Sequence, residues 1–256
     1  VIGYSAGYDL TSGASNVLIG RDAGANITEG TSNIAIGHGA LDAADGTGSG
    51  AEAYNVAIGH SALSAETSGA DGCVAVGYQA LLNQNRDDSR NTAIGYQSLV
   101  SLGNGVTYGG KQNTAVGYEA GGNGVFGGGT DGGSNVYGSD NTLLGYRAGN
   151  AITTGQYNVI AGSSAGTALT TGGSNVLIGK GAGLAFTDNT SNIAIGVGAM
   201  DGCNGGEDGN VAIGQGALGS DIAGSDYCTA VGYNALAAQN ANVKNTAIGG
   251  LAGDAI

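Results

Sequence analysis

Apolar residues come in short bursts along this chain. The commonest burst is three residues closed by a glycine, as in Val17-Leu18-Ile19-Gly20, Ile34-Ala35-Ile36-Gly37 and Thr92-Ala93-Ile94-Gly95. Between bursts lie polar clusters such as TSGAS, TEGTS and TTGGS, whose Gly, Ser, Thr and Asn mark bends. With the closing glycine as a ruler, fourteen copies stand at Gly3, Gly20, Gly37, Gly59, Gly77, Gly95, Gly117, Gly145, Gly162, Gly179, Gly196, Gly214, Gly232 and Gly249. Their spacings are 17, 17, 22, 18, 18, 22, 28, 17, 17, 17, 18, 18 and 17 residues. So short a period leaves no room for a helical pair, and its Val, Ile and Thr suit strands. Repetition at this period predicts an all-β fold, a parallel β-solenoid of about 14 turns, each turn with two short strands and two bends. Successive turns then stack at the strand spacing of about 4.8 Å. The long intervals predict loop insertions at 42–54, 100–112 and 122–140 in a single repeat domain spanning 1–256. A longer period also shows: VIGYSAGYDLTSGASNVLIGRDAG at 1–24 returns as IAGSSAGTALTTGGSNVLIGKGAG at 160–183. The chain opens inside a repeat and reads as a segment of a longer array.

Each place in the repeat has its own chemistry. The residue before the ruler glycine is Ile, Val or Leu in thirteen of fourteen copies, Ala161 excepted. Two residues earlier stands Val, Ile or Thr. These two share one strand face and are expected to form the dry interior of the coil. Three after the glycine stands Ala in thirteen of fourteen copies, Ser98 excepted. The residues two before and four after the glycine exchange size. Leu18 goes with Gly24 and Leu143 with Gly149, whereas Ala35 goes with Leu41 and Ala75 with Leu81; twelve of fourteen pairs obey. Such compensation marks two side chains sharing one packed space. The first member of this pair has the opposite parity to the Ile position, so both strand faces read as buried. A single coil covers one of them. The sequence therefore predicts a homo-oligomer, with Ala23, Ala40, Ala62, Ala80, Leu41, Leu63, Leu81 and Leu99 at or near the chain–chain contact. In the alternative, the strand bends at the glycine and both members point inward.

Asn opens the motif in eleven of thirteen complete copies, among them Asn16, Asn33, Asn55, Asn91 and Asn113. Stacked amides bond from turn to turn, and Asn tolerates the left-handed backbone of a tight corner.

Composition narrows the function classes. The 256 residues include 54 Gly, no Pro and no Trp. Glycine without a three-residue period, and without Pro, is not collagen. Seven Lys plus Arg against twenty Asp plus Glu leave a net charge of −13, which argues against nucleic acid as a partner. Apolar runs of four or five residues do not insert into a membrane. Three Cys make no disulfide framework; Cys73 and Cys228 replace the recurring Asn and read as small buried hydrophobes, and Cys203 lies in a linker.

Candidate chemistry is sparse. His38 and His60 follow the ruler glycine in adjacent turns and are weak candidates for a metal site. Tyr78, Tyr96, Tyr118 and Tyr146 hold the same place in later turns, a candidate ligand-facing ladder suited to sugar rings or to simple cross-strand stacking. GKGAGLAF at 179–186 lacks phosphate-loop spacing, and the Gly/Asp run at 127–141 occurs once and out of frame, so no cofactor is expected. Asp87, Asp88, Asp201, Glu207 and Asp208 read as a solvated acidic surface. Asn26 and Asn189 open glycosylation sequons. Two His in neighbouring copies of one repeat offer no second element for a Ser/His/Asp site, and the chain reads as no enzyme.

At NTAIGYQSL, NVAIGHSAL and CVAVGYQAL the sequence resembles the head repeats of trimeric autotransporter adhesins, which are built on an Asn-Ser-Val-Ala-Ile-Gly-like motif. In its Gly-Tyr-x-Ala-Leu wording and Thr-Thr-Gly linkers it is more similar still to tail-fibre repeats of tailed phages and fibre proteins of large aquatic viruses. The resemblance covers essentially the whole chain. It departs where Thr replaces Val in the strand and where linkers lengthen. It implies a left-handed parallel β-roll, three rolls side by side, in a structural fibre on a virion that mediates host attachment through a carbohydrate or protein receptor. The alternative it implies is the head of a trimeric cell-surface adhesin or an extracellular filament subunit.

Overall fold

A computed structural model of the chain describes residues 1–42, 53–65, 70–84, 89–102, 110–124, 138–220, 225–239 and 244–253. It divides into two compact units, Val1–Asp140 and Asn141–Ile256. The first holds β1 (Val17–Ile19), β2 (Ile34–Ile36), β3 (Val56–Ile58), β4 (Val74–Val76), β5 (Thr92–Ile94) and β6 (Thr114–Val116). The second holds β7 (Thr142–Leu144), β8 (Val159–Ala161), β9 (Val176–Ile178), β10 (Ile193–Ile195), β11 (Val211–Ile213), β12 (Thr229–Val231) and β13 (Thr246–Ile248). Within each unit every strand pairs in parallel with the next in chain order and in strict register, as Ala35 opposite Ala57 and Ala194 opposite Ala212. Each unit is thus a parallel β-solenoid, with no helix among the described residues. The copy at Gly3 gives no strand, only a bridge from Ile2 to Ile19. Among the described residues the expected second strand of each turn is also absent as a named strand; single bridges join Thr31, Ala53 and Asp71. The predicted insertions at 42–54, 100–112 and 122–140 lie mostly outside the described residues.

The strand faces are the reverse of those expected. In β1 to β12 the central residue is buried and its neighbours are half-buried or exposed. Leu18 is fully covered while Val17 is 43% and Ile19 37% exposed. The Ile/Val column therefore looks outward, and the Ala/Leu column fills the coil.

The corner after the strand explains this. The second and fourth residues past the ruler glycine are left-handed, as Ser61 (φ 52°) and Leu63 (φ 51°) in one turn or Gln79 (φ 53°) and Leu81 (φ 51°) in the next. Two such residues fold the chain back over the inward face, so the residue four past the glycine meets the strand's central residue from inside. Leu41, Leu63, Leu81 and Leu99, with Ala23, Ala40, Ala62 and Ala80, are fully buried within one chain. Their predicted place at a chain–chain contact is corrected accordingly: the size exchange is internal packing. Where the fourth residue is Gly, neighbours occupy its volume; a Cβ on Gly24 would lie 2.8 Å from Ile27 Cδ1 and 2.9 Å from Leu18 Cδ2.

Ile27 belongs to a further inward column, seven residues past the ruler glycine, which includes Leu102, Ile152, Leu169 and Phe186, all fully buried. Long linkers blur its spacing in the sequence, and it is not apparent there.

The ruler glycine is indispensable for two reasons. Its φ lies between 127° and 148° in every copy, which L side chains rarely adopt. A Cβ on Gly37 would also sit 2.5 Å from the carbonyl oxygen of Gly59 in the next turn. Gly77→Ala is accordingly expected to destabilise by at least about 3 kcal/mol, from backbone strain plus overlap. Gly72→Ser, at an exposed corner (φ 65°) equivalent to that of Ser32 (φ 59°), should change stability by less than about 1 kcal/mol. Urea denaturation of both variants checks the contrast.

Candidate functional site

The first residue past the ruler glycine lies outside the coil. In the first unit this column runs Tyr4, Arg21, His38, His60, Tyr78, Tyr96, Tyr118, one per turn. Ring centroids lie 4.7 Å apart for His38–His60, 5.4 Å for His60–Tyr78, 5.1 Å for Tyr78–Tyr96 and 5.0 Å for Tyr96–Tyr118. The Tyr rings are stacked nearly parallel, with interplanar angles of 13° and then 5°. They cover one another's faces, so the surfaces a sugar ring would dock on are closed, and solvent meets ring edges and hydroxyls. Tyr146 belongs to the second unit, where Arg147 Cζ lies 5.9 Å from its ring centroid.

At the other end the polar side chains form a contiguous chain of contacts. Arg21 Nη2 donates to His38 Nε2. His38 Nδ1 lies 3.2 Å from His60 Nε2. His60 Nδ1 lies 3.0 Å from Ser61 Oγ. Asp22 Oδ2 stands 3.1 Å from Arg21 Nε and 3.8 Å from His38 Nε2. The structure thus lines up Ser61, His60, His38 and Asp22, an assembly not anticipated from the sequence. The imidazole nitrogens a metal would need are committed to Arg21, to each other and to Ser61. Among the described residues no three His, Cys, Asp or Glu are grouped to hold a metal ion.

The Asn column is internal. In the first unit the backbone N–H of Asn33 donates to Asn16 Oδ1 at 2.9 Å, that of Asn55 to Asn33 Oδ1 at 3.0 Å, and that of Asn113 to Asn91 Oδ1 at 2.8 Å. Their amide nitrogens reach linker carbonyls, as Asn55 Nδ2 to Ala70 O at 2.6 Å. The left-handed corner falls one residue earlier than expected, at Ser15, Ser32, Tyr54 and Arg90 with φ between 48° and 62°.

Where Cys replaces Asn, a buried Gln takes over. Cys228 accepts from Gln239 Nε2 at 3.1 Å, Gln239 Oε1 accepts from Asn245 Nδ2 at 3.0 Å, and Gln239 Nε2 also reaches Ser225 Oγ at 3.0 Å. In the first unit Gln84 Oε1 accepts from Asn91 Nδ2 at 3.0 Å, and Cys73 Sγ lies 3.1 Å from Ser89 Oγ. Both Gln stand eleven residues after their Cys, 84 − 73 and 239 − 228. That shared spacing is the signal that would have exposed the pairing. Cys73, Cys203 and Cys228 are buried, and none forms a disulfide among the described residues.

Two surface assignments change. Glu207 is buried, its Oε2 accepting from Asn189 Nδ2 at 2.6 Å and from the Gly205 N–H at 3.0 Å. Asn189 is fully buried, which closes that sequon to modification of the folded chain; Asn26 is exposed. Asp87 and Asp88 lie outside the described residues.

Gln84→Leu leaves part of the Asn91 amide unpaired in the core and should cost about 1–3 kcal/mol in urea denaturation. Asp42 supplies a pH dependence. Burial, then the nearby Asp22, push its carboxyl above the ordinary range, with His38 opposing. Its proton is held more tightly in the folded chain, so its stability contribution is complete at low pH and declines as pH rises through the raised value. Asp42→Asn should therefore raise the Tm at neutral pH, and the difference should shrink to nothing by about pH 3.

Comparison with known protein families, with curated proteins and with solved structures finds no match for this chain.

Proposed function

We propose that the chain is a shaft or adhesive segment of a phage or viral tail fibre mediating host attachment, built as a left-handed roll of about fourteen turns and assembled as a trimer of side-by-side rolls. The observation that carries this reading is the outward strand face. Val17, Ile19, Ile58, Ile94 and Val116 in the first unit, and Leu144, Val159, Ile178 and Ile213 in the second, are 37–43% exposed. Strand pairing in register sets them in columns, so the apolar surface is continuous along each unit. Patches of that kind mark interfaces, and identical chains supply the same surface for mutual burial. The net charge of −13 suits an exposed extracellular part, and the motif resemblance favours tail fibres over adhesin heads.

Light scattering of the purified chain tests the assembly. A mass near three times 24.5 kDa is expected, and Ile94→Asp should lower it; a monodisperse monomer of the parent chain would remove the trimer. An antibody against the chain, imaged by electron microscopy on particles and cells of its source, tests the setting. Label along virion fibres supports the proposal, and label confined to cell-surface filaments transfers it to the adhesin alternative.

A further inference from the structure

The second residue past the ruler glycine projects beside the aromatic column, and most turns carry a side chain there, such as Ser61, Gln79, Gln97 and Glu119. Three consecutive turns of the second unit carry Gly181, Gly198 and Gly216 instead. The backbone does not require glycine at these places. Gly198 and Gly216 have φ of 63° and 65°, while Ser61, Gln79 and Asn234 hold the same corner at 48–53°. What Gly198 and Gly216 do is leave space: with Gly219 they floor an open groove of about 370 Å³.

Polar heads converge on that floor. A carboxylate oxygen of Asp201 lies 3.0 Å from where a Cβ on Gly198 would stand, and the Asn234 carboxamide oxygen leans over Gly216. Gln215 and Ser220 complete the polar lining, with Val197 and Ala237 supplying small apolar surfaces. The side chains of Gln215, Ser220 and Asn234 make no hydrogen bond to any described residue.

We propose that this groove binds a neutral saccharide of one or two units. The lining offers one carboxylate, two carboxamides and one hydroxyl, hence acceptors and donors in alternation, and it contains no cation. Adjacent sugar hydroxyls donate to a carboxylate while accepting from an amide N–H, and ring C–H groups fit against Val197 and Ala237. An anionic ligand is opposed by Asp201 and by the charge of −13; an apolar one would leave the amides unpaired. The volume lies at the lower end for small-ligand sites. In the first unit Gly39 and Asp42 stand where Gly198 and Asp201 do, but Ser61 stands where Gly216 does, so a side chain occupies the place that Gly216 leaves open. This inference deepens the receptor-facing reading above, yet it is tested on the isolated chain, whatever its oligomeric state or location.

The experiment is saturation-transfer NMR and titration calorimetry of the whole chain with methyl α-mannoside, methyl β-galactoside, methyl β-glucoside, N-acetylglucosamine and, as the anionic probe, sialic acid. Millimolar binding of at least one neutral probe is expected, stronger than that of sialic acid. Gly216→Gln installs the side chain found at Gln79 and Gln97, where the two amides bond at 2.8 Å, and should weaken binding at least tenfold. Asp201→Asn should do the same, and it keeps the test decisive if Gly216→Gln does not fold. Gly181→Gln, outside the lining, should leave binding unchanged. Silence from all neutral probes, preference for sialic acid, or binding that survives Asp201→Asn would each overturn the proposal.

Discussion

Everything in this fold depends on a contact between two backbones. The ruler glycine of one turn presents its α-carbon to the carbonyl oxygen of the ruler glycine of the next, with no room for a methyl group between. The approach fixes where each turn sits on its neighbour. Every other place in the repeat then falls into a column of its own kind: Ala on Ala, Asn on Asn, Tyr on Tyr. A side chain anywhere in that line would not merely strain one turn; it would shift the register of every column at that level.

The inward columns follow from that register. A coil with so short a period has a narrow bore, and it is filled by four side-chain places per turn: the strand centre and the third, fourth and seventh residues past the glycine. The total volume is what the bore holds constant. Leu18 and Ile27 crowd over Gly24 in one turn, while Ala75 and Leu81 share the load in another. Bulky residues such as Leu81 accept a left-handed backbone, at roughly 1–2 kcal/mol each, because the corner aims them at the core, and full burial of a Leu stabilises by about 1.5–3 kcal/mol. The Asn column seals the strand's entrance by giving each new turn's N–H a side-chain acceptor on the turn before.

Much of this was legible in the sequence, and the failures have physical causes. Period, strand content and parallel stacking can be read from the glycine spacing alone, because only backbone proximity makes one residue type that regular. The size exchange was legible as shared volume, but its location was not. Parity says that Leu18 and Ile19 face opposite ways; it does not say which way is in. That is decided by left-handed residues at positions such as Ser61 and Leu63, whose side chains give no hint of positive φ. Gln84 and Gln239 were missed because a buried amide reads as a surface residue until its partner is known. Glu207 was missed likewise, its partners being a backbone N–H and an Asn one turn away. In the outward column, residue identity foretold the Tyr stack, whereas the alignment of Ser61 with His60 and His38 depended on side-chain directions that spacing does not encode.

The substitution of Cys for Asn bears on how such a chain can change length. A column of like residues is indifferent to gene duplication: copy or delete one turn, and Asn still meets Asn. The two turns that carry Cys are different, because each hands its polar duty to a Gln eleven residues on, and through it to the Asn of the following turn. Recombination that cuts between them strands an amide in the core. Tandem arrays of this sequence should therefore expand and contract freely at plain turns, and inherit the Cys–Gln–Asn stretch only as an undivided block.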